Sequence, residues 1–95
     1  MKIRWAKDAV RQLAAAHEYV AADSPKAADR LLLRIVNSVS ALASYPHAGR
    51  EGRVRNTREL VIPATPCIVA CRIKRRAAIQ VLALLHAKRK WPKSF

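Results

Sequence analysis

Between Pro25 and Leu42 the chain reads PKAADRLLLRIVNSVSAL, and the spacing of its apolar residues decides the fold. Ala28, Leu32, Ile35, Val39 and Leu42, widened by Leu31 and Val36, recur every three or four residues, which is the stripe of one helix face. Ser24 stands where an N-cap accepts a backbone N–H, and Pro25 fits a first turn whose N–H needs no partner. This helix is predicted to run to about Tyr45. Upstream, Ala6 to Ala22 carries a second helical pattern with inner positions Ala6, Val10, Leu13, His17 and Val20. Only Asp23-Ser24-Pro25 separates the two, so the helices must lie antiparallel as a hairpin. Ahead of them Lys2 to Trp5 reads as a short strand with Ile3 and Trp5 on one face.

Downstream the period changes. Pro46-His47-Ala48-Gly49 ends the helical part, and both glycines, Gly49 and Gly52, fall in the loop that follows. Arg58 to Ile62 reads as a strand and Pro63-Ala64-Thr65-Pro66 breaks it. Cys67 to Ile73 reads as the next, Lys74-Arg75-Arg76-Ala77 as a turn, and Ala78 to His86 as the last and longest strand. Such short connections imply an antiparallel meander. The expected architecture is α+β, a small single domain of order β-α-α-β-β-β with the helix hairpin packed on an antiparallel sheet. Its parts are a strand at 2–5, the hairpin at 6–45, a three-stranded meander at 58–86 and a basic tail at 87–95.

A chain of 95 residues is one domain. Its 52% hydrophobic and 26% charged residues exclude a disordered tail. No run approaches the roughly 20 apolar residues of a membrane span, and Met1-Lys2-Ile3-Arg4 opens no leader, so a cytoplasmic protein without membrane association is expected. Cys67 and Cys71 lie four residues apart in a strand, roughly 13 Å, about twice what a disulfide spans. Both are read as free, small core residues. The same spacing argues against a metal site, and no cofactor-binding loop, nucleophile elbow or paired-carboxylate motif is present; the chain is not read as a metabolic enzyme.

Charge is the informative number. Nineteen Lys and Arg against six Asp and Glu give +13, a balance that costs folding stability by self-repulsion and points to an acidic partner. Residues 50–95 hold twelve of the cations and two of the carboxylates, Glu51 and Glu59. Arginine outnumbers lysine, which suits bidentate contact with phosphate or carboxylate, although an alanine- and arginine-rich chain is also what a GC-rich genome encodes. Three cationic groups follow: Arg50, Arg53, Arg55 and Arg58 in the loop and first meander strand; Arg72, Lys74, Arg75 and Arg76 around the turn; Lys88, Arg89 and Lys90 in the tail. If the sheet curls, the first and third groups line a concave face beside Arg72, a groove for phosphates. Trp91 offers a ring on which bases could stack, or folds back on the sheet edge.

His86 ends a strand beside that basic tail, where cations would keep its ring neutral and basic. RNA cleavage by a 2′-hydroxyl needs a base, an acid and cations for the phosphorane; His86, Arg58 and Arg72 supply part of that set, but a second proton-transfer group is missing. A backbone- or partner-bonded histidine competes with this role. His17 is read as a satisfied core or interface histidine, and Tyr19 and Tyr45 as hairpin packing.

Trp5 with Ala9 and Leu13, Tyr19-Val20-Ala21, Asp23-Ser24-Pro25, Tyr45-Pro46-His47-Ala48-Gly49-Arg50, Thr57-Arg58-Glu59-Leu60-Val61 and Leu85-His86-Ala87-Lys88-Arg89-Lys90-Trp91-Pro92 together resemble the RelE/ParE superfamily of type II toxin–antitoxin toxins. The resemblance covers nearly the whole chain, and its ending looks more ParE-like. It implies a growth-inhibiting toxin held in a hetero-oligomer by a cognate antitoxin and directed at DNA gyrase by protein contact, with Arg50, Arg53, Arg55, Lys88, Arg89, Lys90 and Trp91 as binding residues. The alternative it implies is a RelE-like endonuclease acting on mRNA at the translating ribosome, with His86, Arg58 and Arg72 catalytic. A plain nucleic-acid-binding domain is the third possibility.

Overall fold

Ser24 marks the break between two helices, and its hydroxyl accepts the Ala27 N–H at 3.2 Å with Pro25 in the first turn, as its side-chain chemistry requires. A computed structural model describes residues 1–75, 78–87 and 91–95. Strand β1 (Lys2–Trp5) leads into α1 (Lys7–Ala21) and α2 (Pro25–Ser40), which closes with a 3-10 turn at Ala41–Ala43. Then come β2 (Arg50–Glu51), β3 (Arg58–Val61), β4 (Cys67–Lys74) and β5 (Ala78–His86). The helices pair as a hairpin on a five-stranded sheet of order β1-β5-β4-β3-β2.

Two features differ from the expected sheet. A fifth strand, β2, pairs its two residues with Arg58 and Glu59. The sheet is also mixed: β1 runs parallel to β5, from Lys2 opposite Ala78 to Trp5 opposite Val81. The long path through the hairpin and meander allows that parallel return, which a tight turn could not. The meander itself is antiparallel, with Arg58 opposite Cys71, Arg72 opposite Gln80 and Cys67 opposite His86. Arg76 and Ala77 of the expected turn lie outside the described residues. The β3–β4 connection closes through Ile62 N–H to the Cys67 carbonyl at 3.0 Å, with Ala64 at φ 62° in the turn.

The core forms where α2 and the inner sheet face meet. Ile35 and Val39 pack with Ala9, Ile62, Val69, Val81 and Leu84, and a second cluster joins Leu42, Cys71 and Ile79. The α2 stripe is buried where its spacing predicts at Ala28, Ile35, Val39 and Leu42, but Val36, expected to widen it, is exposed, and α2 proper stops at Ser40 rather than near Tyr45. The α1 stripe is not the expected one. Ala9 is its buried residue, Leu13 and Ala16 pack beside it, and Val10 is 51% exposed. Alanine on every side leaves the apolar face of α1 poorly marked, and Ala9 suits a close helix–sheet approach because it adds so little volume. Tyr19 and Tyr45, read as packing residues, stand 82% and 68% exposed. His17 bridges the hairpin, its Nε2 2.9 Å from Asp29 Oδ1. Both cysteines are free thiols, Cys71 buried and Cys67 partly so, and burial pushes both thiols up in pKa.

Candidate functional site

A carboxylate in the middle of a basic strand must find cations or water. Glu59 on β3 faces the side of the sheet away from the helices, is 2% exposed, and finds arginines. Arg50 donates from Nε and Nη2 to Oε1 at 3.2 and 3.0 Å. Arg53 donates from its backbone N–H and Nε to Oε2 at 2.8 and 3.1 Å. Burial alone would raise the Glu59 pKa, but the Arg53 backbone and side-chain bonds, the Arg50 bond and the Arg53 charge outweigh it and hold the carboxyl below its ordinary value. Arg53 also lays its guanidinium 3.6 Å above the Trp91 ring centre, so one side chain ties the loop, the sheet and the chain's last segment together.

The loop that brings these arginines in is held by its own backbone. Gly52 N–H donates to the Thr57 carbonyl at 2.8 Å and Thr57 Oγ1 to Val54 O at 2.6 Å, with Asn56 at φ 62°. A Cβ at Gly52 would lie 2.8 Å from the Thr57 carbonyl oxygen; only glycine fits. Arg58 is likewise structural in part, its Nη2 donating to the His47 carbonyl at 2.9 Å and to that of Gly49.

These contacts sort the expected binding residues. Arg50, Arg53 and Trp91 are engaged within the fold. Arg55 is exposed and, among the described residues, takes no ion pair. Lys88, Arg89 and Lys90 lie outside the described residues. The expected catalytic residues divide. Arg58 and Arg72 line one open cleft with His47, Glu51, Asn56, Thr57 and Ile73. His86 does not join them: it pairs with Cys67, five positions along β4 from Arg72, roughly 16 Å at about 3.3 Å per residue. Positions five apart on a strand also face opposite sides of the sheet. His86 is therefore set apart from Arg72, and the tail half of the curled groove expected beside Arg72, Lys88, Arg89 and Lys90, lies outside the described residues.

His86 instead lines a groove of about 600 Å³ between α1 and the far end of the sheet, with Gln12, Ala15, Ala16, Tyr19, Val20, Leu31, Pro66, Cys67, Leu84 and Leu85. Reading the sequence missed this groove and the structural role of Glu59. The signal for Glu59 was its isolation, one of two carboxylates among twelve cations; the groove left no local signal, because α1 and β5 meet only in the fold. Among the described residues no group of three or more His, Cys, Asp or Glu could hold a metal. No described helix is long and apolar enough to cross a membrane.

Residues 3–91 match the family model described as the ParE toxin of the type II toxin–antitoxin system parDE. A Sinorhizobium fredii protein named as a candidate toxin, Y4kP, is 43% identical over 96% of this chain and 93% of its own. Toxin RelE2 of Caulobacter vibrioides is 31% identical over 93% of this chain and 97% of its own. A chain in the solved structure of the chromosomal ParDE TA system from P. aeruginosa superimposes with a TM-score of 0.81 at 27% identity, covering 93% of this chain and 97% of that one.

Proposed function

Because the chain belongs to the ParE toxin family of type II toxin–antitoxin systems, we propose that it arrests growth by binding DNA gyrase in the cytoplasm and that a cognate antitoxin neutralises it in a hetero-oligomer. The observation that carries this reading over RNA cleavage is the division of the sheet. Phosphoryl chemistry needs base, acid and cations around one phosphate, whereas His86 and the Arg58–Arg72 cleft stand at opposite ends of the sheet, and Arg72 lies on the other face as well. Contact makes no such demand. The surface we assign to the target is the cationic sheet end, where Arg55, Lys74 and Arg75 are exposed and Arg72 half-buried. Arg50 and Arg53, hydrogen-bonded to Glu59, and Trp91 under Arg53 act as its scaffold. A net +13 speeds encounter with an acidic antitoxin.

The test is a gyrase supercoiling assay with antitoxin-free protein, alongside mRNA cleavage on translating ribosomes. Inhibited supercoiling with intact mRNA is expected. Cut mRNA with normal supercoiling would overturn the reading and make Arg58 and Arg72 phosphate-handling residues.

A further inference from the structure

The register of the sheet joins cations that lie far apart in the sequence. Lys2 of β1 stands beside Ala78 of β5, and Ala78 beside Lys74 of β4. One row along, Arg4, Gln80 and Arg72 are matched in the same way. The residues between them, Ile3, Cys71, Ile73 and Ile79, pack into the core under the helices, so alternation along each strand turns all four cations to the other face. The result is a rectangle of positive charge around Ala78 and Gln80. Its sides are roughly 7 Å along a strand and roughly 10 Å across β5. Lys2, Arg4 and Lys74 are exposed and Arg72 is half-buried. The charge count placed the cationic surface in residues 50–95; the parallel docking of β1 adds Lys2 and Arg4 to it.

Among the described residues none of these four cations is in an ion pair. Four of the six carboxylates belong to the helix hairpin on the opposite face. Glu59 is taken by Arg50 and Arg53, and Glu51 lines the Arg58 cleft beside Arg72. Like charges fixed this close by backbone register repel one another, and a polyanion laid across them relieves the repulsion. The neighbouring side chains select its form. Ala78 leaves the floor low, and the Gln80 amide can donate to a phosphate oxygen. Neither row contains an aromatic ring, so nothing in it stacks on an unpaired base. We propose that this face binds the phosphate backbone of double-stranded DNA without reading its sequence, through Lys2 and Arg4 on one side and Arg72 and Lys74 on the other. The proposal rests on the gyrase reading for the source of the duplex and adds to it that the toxin touches DNA as well as protein.

The experiment titrates the full-length chain, without gyrase, into a short fluorescent DNA duplex of arbitrary sequence over a range of salt concentrations. Three paired variants each remove two positive charges: Lys2→Gln with Arg4→Gln, Arg72→Gln with Lys74→Gln, and, on the helix hairpin, Lys7→Gln with Lys26→Gln. Circular dichroism checks each fold. Each sheet pair is expected to bind at least about tenfold more weakly and to flatten the slope of log affinity against log salt by about 1.8, two phosphate contacts at about 0.9 each. The hairpin pair, screened from the site by distance, should differ from wild type by less than about twofold. The matching single strand should bind more weakly than the duplex. Equal losses from all three pairs would reduce the binding to attraction by net charge and overturn the site. An unchanged slope in either sheet pair, or tighter binding of single-stranded DNA or of RNA, would overturn it too. Because gyrase is absent, each of these failures leaves the gyrase reading standing, to be judged by supercoiling alone.

Discussion

At the β3 end of the sheet, Glu59 is 2% exposed beneath Arg50 and Arg53 while Arg55 and Arg72 remain outside that pairing; at the far end, His86 and Cys67 close a groove whose described lining holds no carboxylate, lysine or arginine. The contrast teaches that a net charge of +13 is not one uniform surface. Part of it is folded into a hydrogen-bonded scaffold and part faces outward, while the described lining of the far groove leaves burial there free of any ion's desolvation cost.

The largest effect that can break this contrast is on stability. Glu59→Ala removes the acceptor of two guanidinium groups and should cost about 2–3 kcal/mol, against under about 1 kcal/mol for Tyr19→Ala, 82% exposed at the other end. Urea unfolding of both variants checks it; equal losses would remove the scaffold role of Glu59.

Acid sharpens the same comparison. The Glu59 carboxyl is held below its ordinary value of 4.5 in the folded protein, so its contribution is complete above that value and is lost as pH falls through the lower folded one. The stability gap between wild type and Glu59→Gln should therefore be widest near neutrality and close in acid. Urea midpoints from neutral pH down to pH 2 measure it, and a gap that grows on acidification would have the wrong sign. The smallest effect is on Trp91, where Trp91→Ala should cost about 0.5–1 kcal/mol through the lost Arg53 stack. Thermal unfolding checks this, and Arg53→Lys should reproduce part of the loss because an ammonium cannot both stack and bridge.

Much of this molecule is legible in its sequence where periodicity is strong. The stripe through Ala28, Ile35, Val39 and Leu42 points inward as its spacing requires, and β4 and β5 begin and end within a residue of their expected bounds. The face of α1 was not legible, since alanines occupy all its sides and volume, not hydrophobicity, selects Ala9. Nor was β2, whose two residues become a strand only by pairing with Arg58 and Glu59. The parallel docking of β1 is likewise a tertiary choice. The division of the site was within reach: a hairpin turning after Lys74 must set Arg72 near Gln80 and His86 near Cys67, one bulge aside. What sequence could not supply was which arginines are already spent on Glu59, because that depends on a loop folding over the sheet.

The most direct test of the account is a titration of gyrase supercoiling inhibition with two double charge reversals that change net charge equally. Arg55→Glu with Arg72→Glu alters the sheet end, and Lys7→Glu with Lys26→Glu alters exposed positions on the helix hairpin. The sheet-end variant is expected to need at least about tenfold more protein for half-inhibition while the hairpin variant matches wild type. Equal losses from both, or a larger loss from the hairpin variant, would contradict it.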